Sequence, residues 1–186
     1  MDKNISDLLT KGEVGVIPTD TIYGIVGSAL NQETVERIYQ LRKRAADKPF
    51  IILIPSIEDL KKFGIQLTEK QKEFLEKVWP NPVSVILPVK NEKFNYLHRG
   101  KNSLAFRMPK NEWLLDILKR VGPLVAPSAN IEGQKPSETI DNAKQYFGDN
   151  VDFYMDGDRI ESQPSTLIQL TSYGSYNILR QGTFQL

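Results

Sequence analysis

The sequence predicts an α/β fold built on one mixed sheet, and three observations carry the prediction. Short apolar runs ending at proline alternate along the chain with segments whose apolar residues recur at helical spacing. One run, Phe50-Ile51-Ile52-Leu53-Ile54, is apolar without interruption, as in a strand covered on both faces. Good capping residues, Asn31, Thr68 and Asn111, stand where the helical stripes begin.

In chain order, the alternation over 13–17 stops at Pro18 and predicts a strand, followed by a turn-rich stretch over 19–28. Asn31 caps a helix over 32–43 in which Val35, Ile38 and Leu41 or Arg42 follow helical spacing and which ends in basic residues. After the 50–54 strand, Ser56 and Thr68 open two helices, the second with a Thr-x-x-Gln capping box closed by Gln71. Strands over 83–89 and 104–108 flank a polar stretch containing Arg99-Gly100-Lys101. Asn111 then caps a helix over 112–121 with Trp113, Leu114, Ile117 and Leu118 as its apolar stripe. A short strand over 123–126, a helix over 137–147 stopped by Gly148, and strands over 151–155, 166–170 and 176–179 complete the order. About eight strands and five helices, interleaved throughout without a linker or repeat, imply a single domain over residues 1–186.

Composition excludes whole classes of chemistry. The chain has no cysteine, so disulfides, cysteine–zinc clusters and thiol nucleophiles are out, and its one histidine, His98, leaves no histidine pair for zinc. With 24 basic and 23 acidic side chains the net charge is +1, so no global field draws the chain to nucleic acid and any anion site is local. Residues 1–11 lack the pattern of a secretory signal and no apolar run approaches the ~20 residues of a membrane span, which reads as a soluble, cytoplasmic protein with no membrane partner. Neither a Gly-x-x-x-x-Gly-Lys-Ser/Thr loop nor a Gly-x-Gly-x-x-Gly turn occurs, and Ser128 lacks the Gly-x-Ser-x-Gly elbow of a hydrolase.

Four polar clusters sit at predicted strand ends. Pro18-Thr19-Asp20-Thr21-Ile22-Tyr23-Gly24 offers hydroxyls, a carboxylate and a phenol, and equally suits a turn with local Asx and Ser/Thr bonds. Arg42-Lys43-Arg44 with Lys48 is a basic helix end that complements the helix dipole or binds an anion. Arg107 shares strand parity with Ser103 and Ala105, which places these side chains on one face. Val125-Ala126-Pro127-Ser128-Ala129-Asn130 surrounds a hydroxyl and an amide with small residues that let a ligand approach the backbone, or forms a structural turn. Asp156-Gly157-Asp158 lacks the rest of a calcium loop and reads as a hairpin turn.

Taken in order, these clusters resemble the YrdC-like family of threonylcarbamoyl-AMP synthases in its short, one-domain form. The opening Pro18–Gly24 segment is similar to the family's Pro-Thr-Glu-Thr-x-Tyr-Gly. Arg44 through Lys48-Pro49-Phe50 is similar to its basic segment, and Trp79-Pro80-Asn81-Pro82 to its Trp-Pro-Gly-Pro. Arg107-Met108-Pro109, Ala126-Pro127-Ser128-Ala129-Asn130, Ser165-Thr166 and Leu179-Arg180-Gln181-Gly182 follow in register. The resemblance implies a YrdC-like fold with a twisted mixed sheet and helices around a basic concave pocket. It implies condensation of L-threonine, bicarbonate and ATP to threonylcarbamoyl-AMP and pyrophosphate, for threonylcarbamoyladenosine formation beside tRNA anticodons. Mg2+ would arrive on the ATP with no protein side-chain ligand. Downstream tRNA threonylcarbamoyl-transferase proteins would take the product, and tRNA itself would bind weakly if at all.

By position, the resemblance assigns ATP to Arg44, Lys48, Ser103, Ser128, Pro136, Ser137 and Arg180, and threonine to Thr21, Arg107, Ala126 and Ser165. Tyr23, Asn130, Arg42 and Lys43 would shape the pocket. No side chain acts as a nucleophile in that scheme, because threonine's amine and the carbamate oxygen do so. Leu53 stands where longer members have a histidine that touches threonine, and Lys48 where they have asparagine. Two rival readings are a carbamoyl transferase domain that uses carbamoyl phosphate and forms carbamoyl-AMP, and an RNA-binding module of the same fold without catalysis.

Overall fold

The structure is a computed structural model that describes residues 2–186, leaving Met1 outside. Among the described residues nine strands form a single sheet in the order β7-β1-β2-β6-β3-β5-β4-β8-β9. They are β1 (Gly15–Ile17), β2 (Gly24–Ser28), β3 (Ile51–Leu53), β4 (Val83–Pro88), β5 (Ser103–Arg107), β6 (Leu124–Val125), β7 (Phe153–Tyr154), β8 (Thr166–Leu170) and β9 (Tyr176–Arg180). The sheet is mixed, as expected: β1/β7, β3/β5 and β4/β8 are parallel and the other neighbours antiparallel.

Among the described residues six α-helices accompany it: α1 (Asp2–Thr10), α2 (Gln32–Arg42), α3 (Glu69–Val78), α4 (Asn95–His98), α5 (Glu112–Val121) and α6 (Ile140–Phe147). Alternation along the strands divides the core in two. Val16, Ile25, Ile52 and Ile54 join a large cluster with Val35 and Ile38 of α2, Leu75 of α3 and Phe147 of α6. Their sequence neighbours Ile17, Val26 and Leu53 face the other way, into a cluster with Leu9 of α1 and Leu114, Ile117 and Leu118 of α5. Strand β3 is thus covered on both faces, which accounts for its unbroken apolar run.

Three of the expected caps form. Asn31, Thr68 and Asn111 each accept a backbone N–H from their helix, and Thr68 with Gln71 completes the reciprocal box. Five expectations need correction. The stretch over 19–28 is not all turn, because Gly24–Ser28 is a strand whose glycines conceal it. A Cβ on Gly27 would meet Thr34 and Ile38, so close approach of α2 excludes a strand-favouring side chain there. Residues 2–10 form a helix where none was expected, with Ile5 and Leu9 against the second cluster. The segment opened by Ser56 is a 3-10 helix over Ile57–Phe63, and Ser56 makes no cap but bonds the Asp59 carboxylate at 3.0 Å. The last helix starts at Ile140 under a Thr139 cap, later than position 137, because the Ser137 hydroxyl donates to the Ala129 carbonyl.

The 156–158 segment is likewise no hairpin. Strands β7 and β8 lie far apart in the sheet, beside β1 and β4, so the chain must cross over between them. Among the described residues no helix is long and apolar enough to cross a membrane.

Candidate functional site

The predicted clusters converge on one cleft, part of it open to solvent. Its walls come from the β1–β2 connection (Thr19, Thr21, Ile22), the end of α2 (Arg42, Arg44), the approach to β3 (Pro49, Phe50, Ile51) and the end of β5 (Arg107). The segment after β6 (Ala126, Pro127, Ser128), Pro136, the residues before β8 (Pro164, Ser165) and the end of β9 (Arg180) complete it. Four arginines and several hydroxyls therefore face one space.

Arg107 is the most constrained of them. Its side chain is 5% exposed, and its guanidinium stands 3.1 Å from the Asp20 carboxylate, itself 2% exposed. Burial pulls the Arg107 pKa down, Asp20 raises it, and the nearby Arg180 charge lowers it again. The contact with Asp20 is not aligned as a hydrogen bond, and Arg107 Nε has no hydrogen-bond partner among the described residues. Buried polar groups are nearly always paired, and a guanidinium that lines the cleft with its hydrogen-bonding capacity incompletely used is suited to an incoming anion. Asp20 meanwhile accepts from the Lys110 backbone N–H at 3.2 Å, which fixes its place.

The segment of small residues is held by the second arginine. Arg42 is 2% exposed and donates from Nε to the Asn130 carbonyl at 3.0 Å, and from Nη2 to Asn130 Oδ1 at 3.0 Å and Ser128 Oγ at 3.2 Å. Burial, with Arg44's like charge, lowers its pKa to about 10, so it stays a cation at neutral pH. The Asn130 amide donates to the Ile131 and Gln134 carbonyls, and the Pro127 and Tyr23 backbones pair with Ile25 and Ala129, continuing β2. Ser128 thus has a cation, not a base, beside its hydroxyl, and nothing there would activate it as a nucleophile.

Lys43 adopts a left-handed conformation (φ 48°) that ends α2 and carries the chain into Arg44. Arg44 lies 5.5 Å over the Phe50 ring, which stacks on Tyr39 at 4.0 Å, with Arg99 4.0 Å over the far side of Tyr39. Both Arg44 Nε and the Tyr39 hydroxyl donate to the Lys48 carbonyl. On the opposite wall, Arg180 donates to the Ser165 carbonyl at 2.8 Å, and Ser165 Oγ shares a hydrogen bond with Ser84 Oγ.

Of the residues singled out from sequence, Thr21, Arg42, Arg44, Arg107, Ala126, Ser128, Pro136, Ser165 and Arg180 line the cleft. Asn130 and Ser137 lie behind it, with their polar groups engaged in holding the loop. Tyr23 points away and fastens the 156–158 segment, donating to the Asp158 carbonyl at 2.7 Å and accepting from the Gly157 N–H at 2.8 Å. Lys48 Nζ is turned onto Glu132 at 2.8 Å. Ser103 begins β5, about 13 Å along the strand from Arg107 on the same face. Leu53 is fully buried in the second core cluster rather than in the cleft wall. Sequence reasoning gave no role to Asp20 and missed Glu132. Asp20 lay within a cluster already noted for its polarity, but nothing short of the fold links it to Arg107.

The Sua5_yciO_yrdC family model, described as "Telomere recombination", matches residues 7–182. The threonylcarbamoyl-AMP synthase of Pyrococcus abyssi is 32% identical over 182 residues, covering 96% of this chain and 53% of that protein. That of Bacillus subtilis is 36% identical over 134 residues, covering 71% of this chain and 38% of that protein. The chain thus spans about half the length of the first relative and less of the second. The crystal structure of P. abyssi Sua5 complexed with L-threonine matches with a TM-score of 0.88 at 30% identity, covering 97% of this chain and 54% of that one. With a family model matched over nearly its whole length and relatives of this similarity, the chain belongs to the Sua5/YciO/YrdC family.

Proposed function

We propose that this protein is an L-threonylcarbamoyladenylate synthase, a nucleotidyltransferase that joins L-threonine, bicarbonate and ATP into threonylcarbamoyl-AMP and pyrophosphate. The observation that carries the reading is the buried Arg107, paired with Asp20 yet with Nε unmet, in a cleft shared with three more arginines. The threonine carboxylate, bicarbonate and the ATP polyphosphate are the anions of that reaction, and the cleft offers four guanidinium groups to meet them. The synthases matched in sequence and the threonine-bound neighbour support the same assignment.

In this scheme Arg107 meets the threonine carboxylate, with Thr21, Ala126 and Ser165 around the amino acid. Arg44, Ser128, Pro136 and Arg180 face the nucleotide, with Lys48, Ser103 and Ser137 at greater remove. Tyr23, Asn130, Arg42 and Lys43 shape the walls. Threonine's amine attacks the carbon of bicarbonate, with loss of water, to give a carbamate. A carbamate oxygen then attacks the α-phosphorus and pyrophosphate leaves. The protein's part is to hold the reactants in line and neutralise charge that builds on the phosphates. A cleft lined by guanidinium and hydroxyl groups is a poor donor set for a divalent cation. No group of three or more His, Cys, Asp or Glu able to hold a metal occurs among the described residues. We therefore propose that Mg2+ is carried by the triphosphate. The product would pass to tRNA-modifying transferase proteins.

The test is incubation of the protein with the three substrates and detection of threonylcarbamoyl-adenylate by mass spectrometry, alongside ATP–pyrophosphate turnover. Both signals should require threonine and bicarbonate. A turnover rate indifferent to threonine would refute the assignment.

A further inference from the structure

Glu132 belongs to none of the motifs, yet its carboxylate is the anion that the basic segment holds. Glu132 Oε1 lies 2.8 Å from Lys48 Nζ and 3.8 Å from Arg44 Nη1, and Oε2 accepts the Ala45 backbone N–H at 2.7 Å. Its own N–H donates to the Arg42 carbonyl at 2.8 Å, so residue 132 is fastened to the 42–48 segment at both backbone and side chain. It follows directly on the loop that Arg42 holds through Asn130. Arg44 lines the cleft, whereas Lys48, turned toward Glu132, does not.

We propose that Glu132 is the resident counter-anion of the Arg44/Lys48 pair, displaced from it by the ligand's polyphosphate, so that Glu132 sets nucleotide affinity. The proposal rests on the nucleotide reading above. Lys48 is 54% exposed and Glu132 25% exposed, and ion pairs so open to water contribute little net stability. They therefore exchange readily. A polyphosphate offers more charge than one carboxylate, and oxygens spaced to take two N–H groups of an arginine at once, which favours the exchange. The Glu132 carboxyl is held below its ordinary range, by the Lys48 hydrogen bond first and the Ala45 N–H second, so it is ionised wherever ATP binds.

The experiment is calorimetric titration of the wild type and Glu132→Gln with ATP in the presence of magnesium chloride, and with adenosine as a ligand lacking phosphate. Glutamine keeps an acceptor for Ala45 N–H and removes the charge. Glu132→Gln should bind ATP about 2- to 5-fold more tightly, the worth of one exposed ion pair, with adenosine unchanged. In a Lys48→Gln background the gain should shrink. Unchanged or weaker ATP binding by Glu132→Gln, or an equal change for adenosine, would overturn the proposal and assign Glu132 a purely structural role. A wild type that binds no ATP at all would instead sink the nucleotide reading on which the proposal rests.

Discussion

Replacing Asp20 with asparagine removes the carboxylate that pairs with Arg107 and leaves the side chain's shape almost unchanged. The asparagine oxygen can still accept from Lys110 N–H, but its NH2 group then points at the guanidinium, donor against donor. At 3.1 Å and an effective dielectric of about 20, the attraction lost is about 5 kcal/mol. Removing one partner of a buried pair typically costs about 3–5 kcal/mol, because the other charge remains buried. For a chain of this size that is a fall in Tm of roughly 6–20 °C. Threonine should restore part of the loss, since its carboxylate would supply the missing counter-charge. At about 100 times Kd a ligand stabilises by about 2.7 kcal/mol, and the threonine-induced rise in Tm should be larger in Asp20→Asn than in wild type at equal concentration. Thermal unfolding followed with L-threonine and with threoninol, which has no carboxylate, separates the two effects. An unchanged Tm would refute the buried pair. A Tm that falls with no added response to threonine would refute the carboxylate contact at Arg107.

Gly182→Ala should lower both stability and activity, because a Cβ there would run into the Pro164 carbonyl and the Ser165 backbone that form the cleft wall; purified enzyme and calorimetry show whether the two losses go together. Thr68→Ala should cost about 1 kcal/mol by removing the hydroxyl half of the α3 capping box, read as a lower denaturation midpoint with unchanged slope and unchanged ATP binding. Glu132→Gln should lower Tm slightly at pH 7. A carboxyl whose folded pKa is depressed adds stability above its unfolded value and loses it as pH falls through the folded one, so the gap should close below the ordinary glutamate range in Tm measured against pH.

Legibility in the sequence tracked the range of the physics. Caps at Asn31, Thr68 and Asn111 are satisfied within three residues, so reading the chain locally found them. Strand β2 escaped because its decisive contact, Thr34 and Ile38 against Gly27, comes from the following helix. The polar run around Thr19 contained both of its readings at once. Thr19 Oγ1 donates to the Ile22 carbonyl and accepts the Thr21 and Ile22 N–H groups, an ordinary turn, while Thr21 lines the cleft and Asp20 pairs with Arg107.

By itself the sequence determined the mixed α/β layering, the both-sided burial of β3, the absence of thiol and histidine-pair chemistry, and most of the residues that wall the cleft. These depend on residue type, period and order along the chain. Only the tertiary structure decided which cation faces which anion. Arg42 holds Asn130 across 88 positions, Asp20 meets Arg107 from the β1–β2 connection, and Glu132 holds Lys48 from a separate loop. Electrostatic partners are chosen by proximity in space and by burial, and neither is written in spacing along the chain.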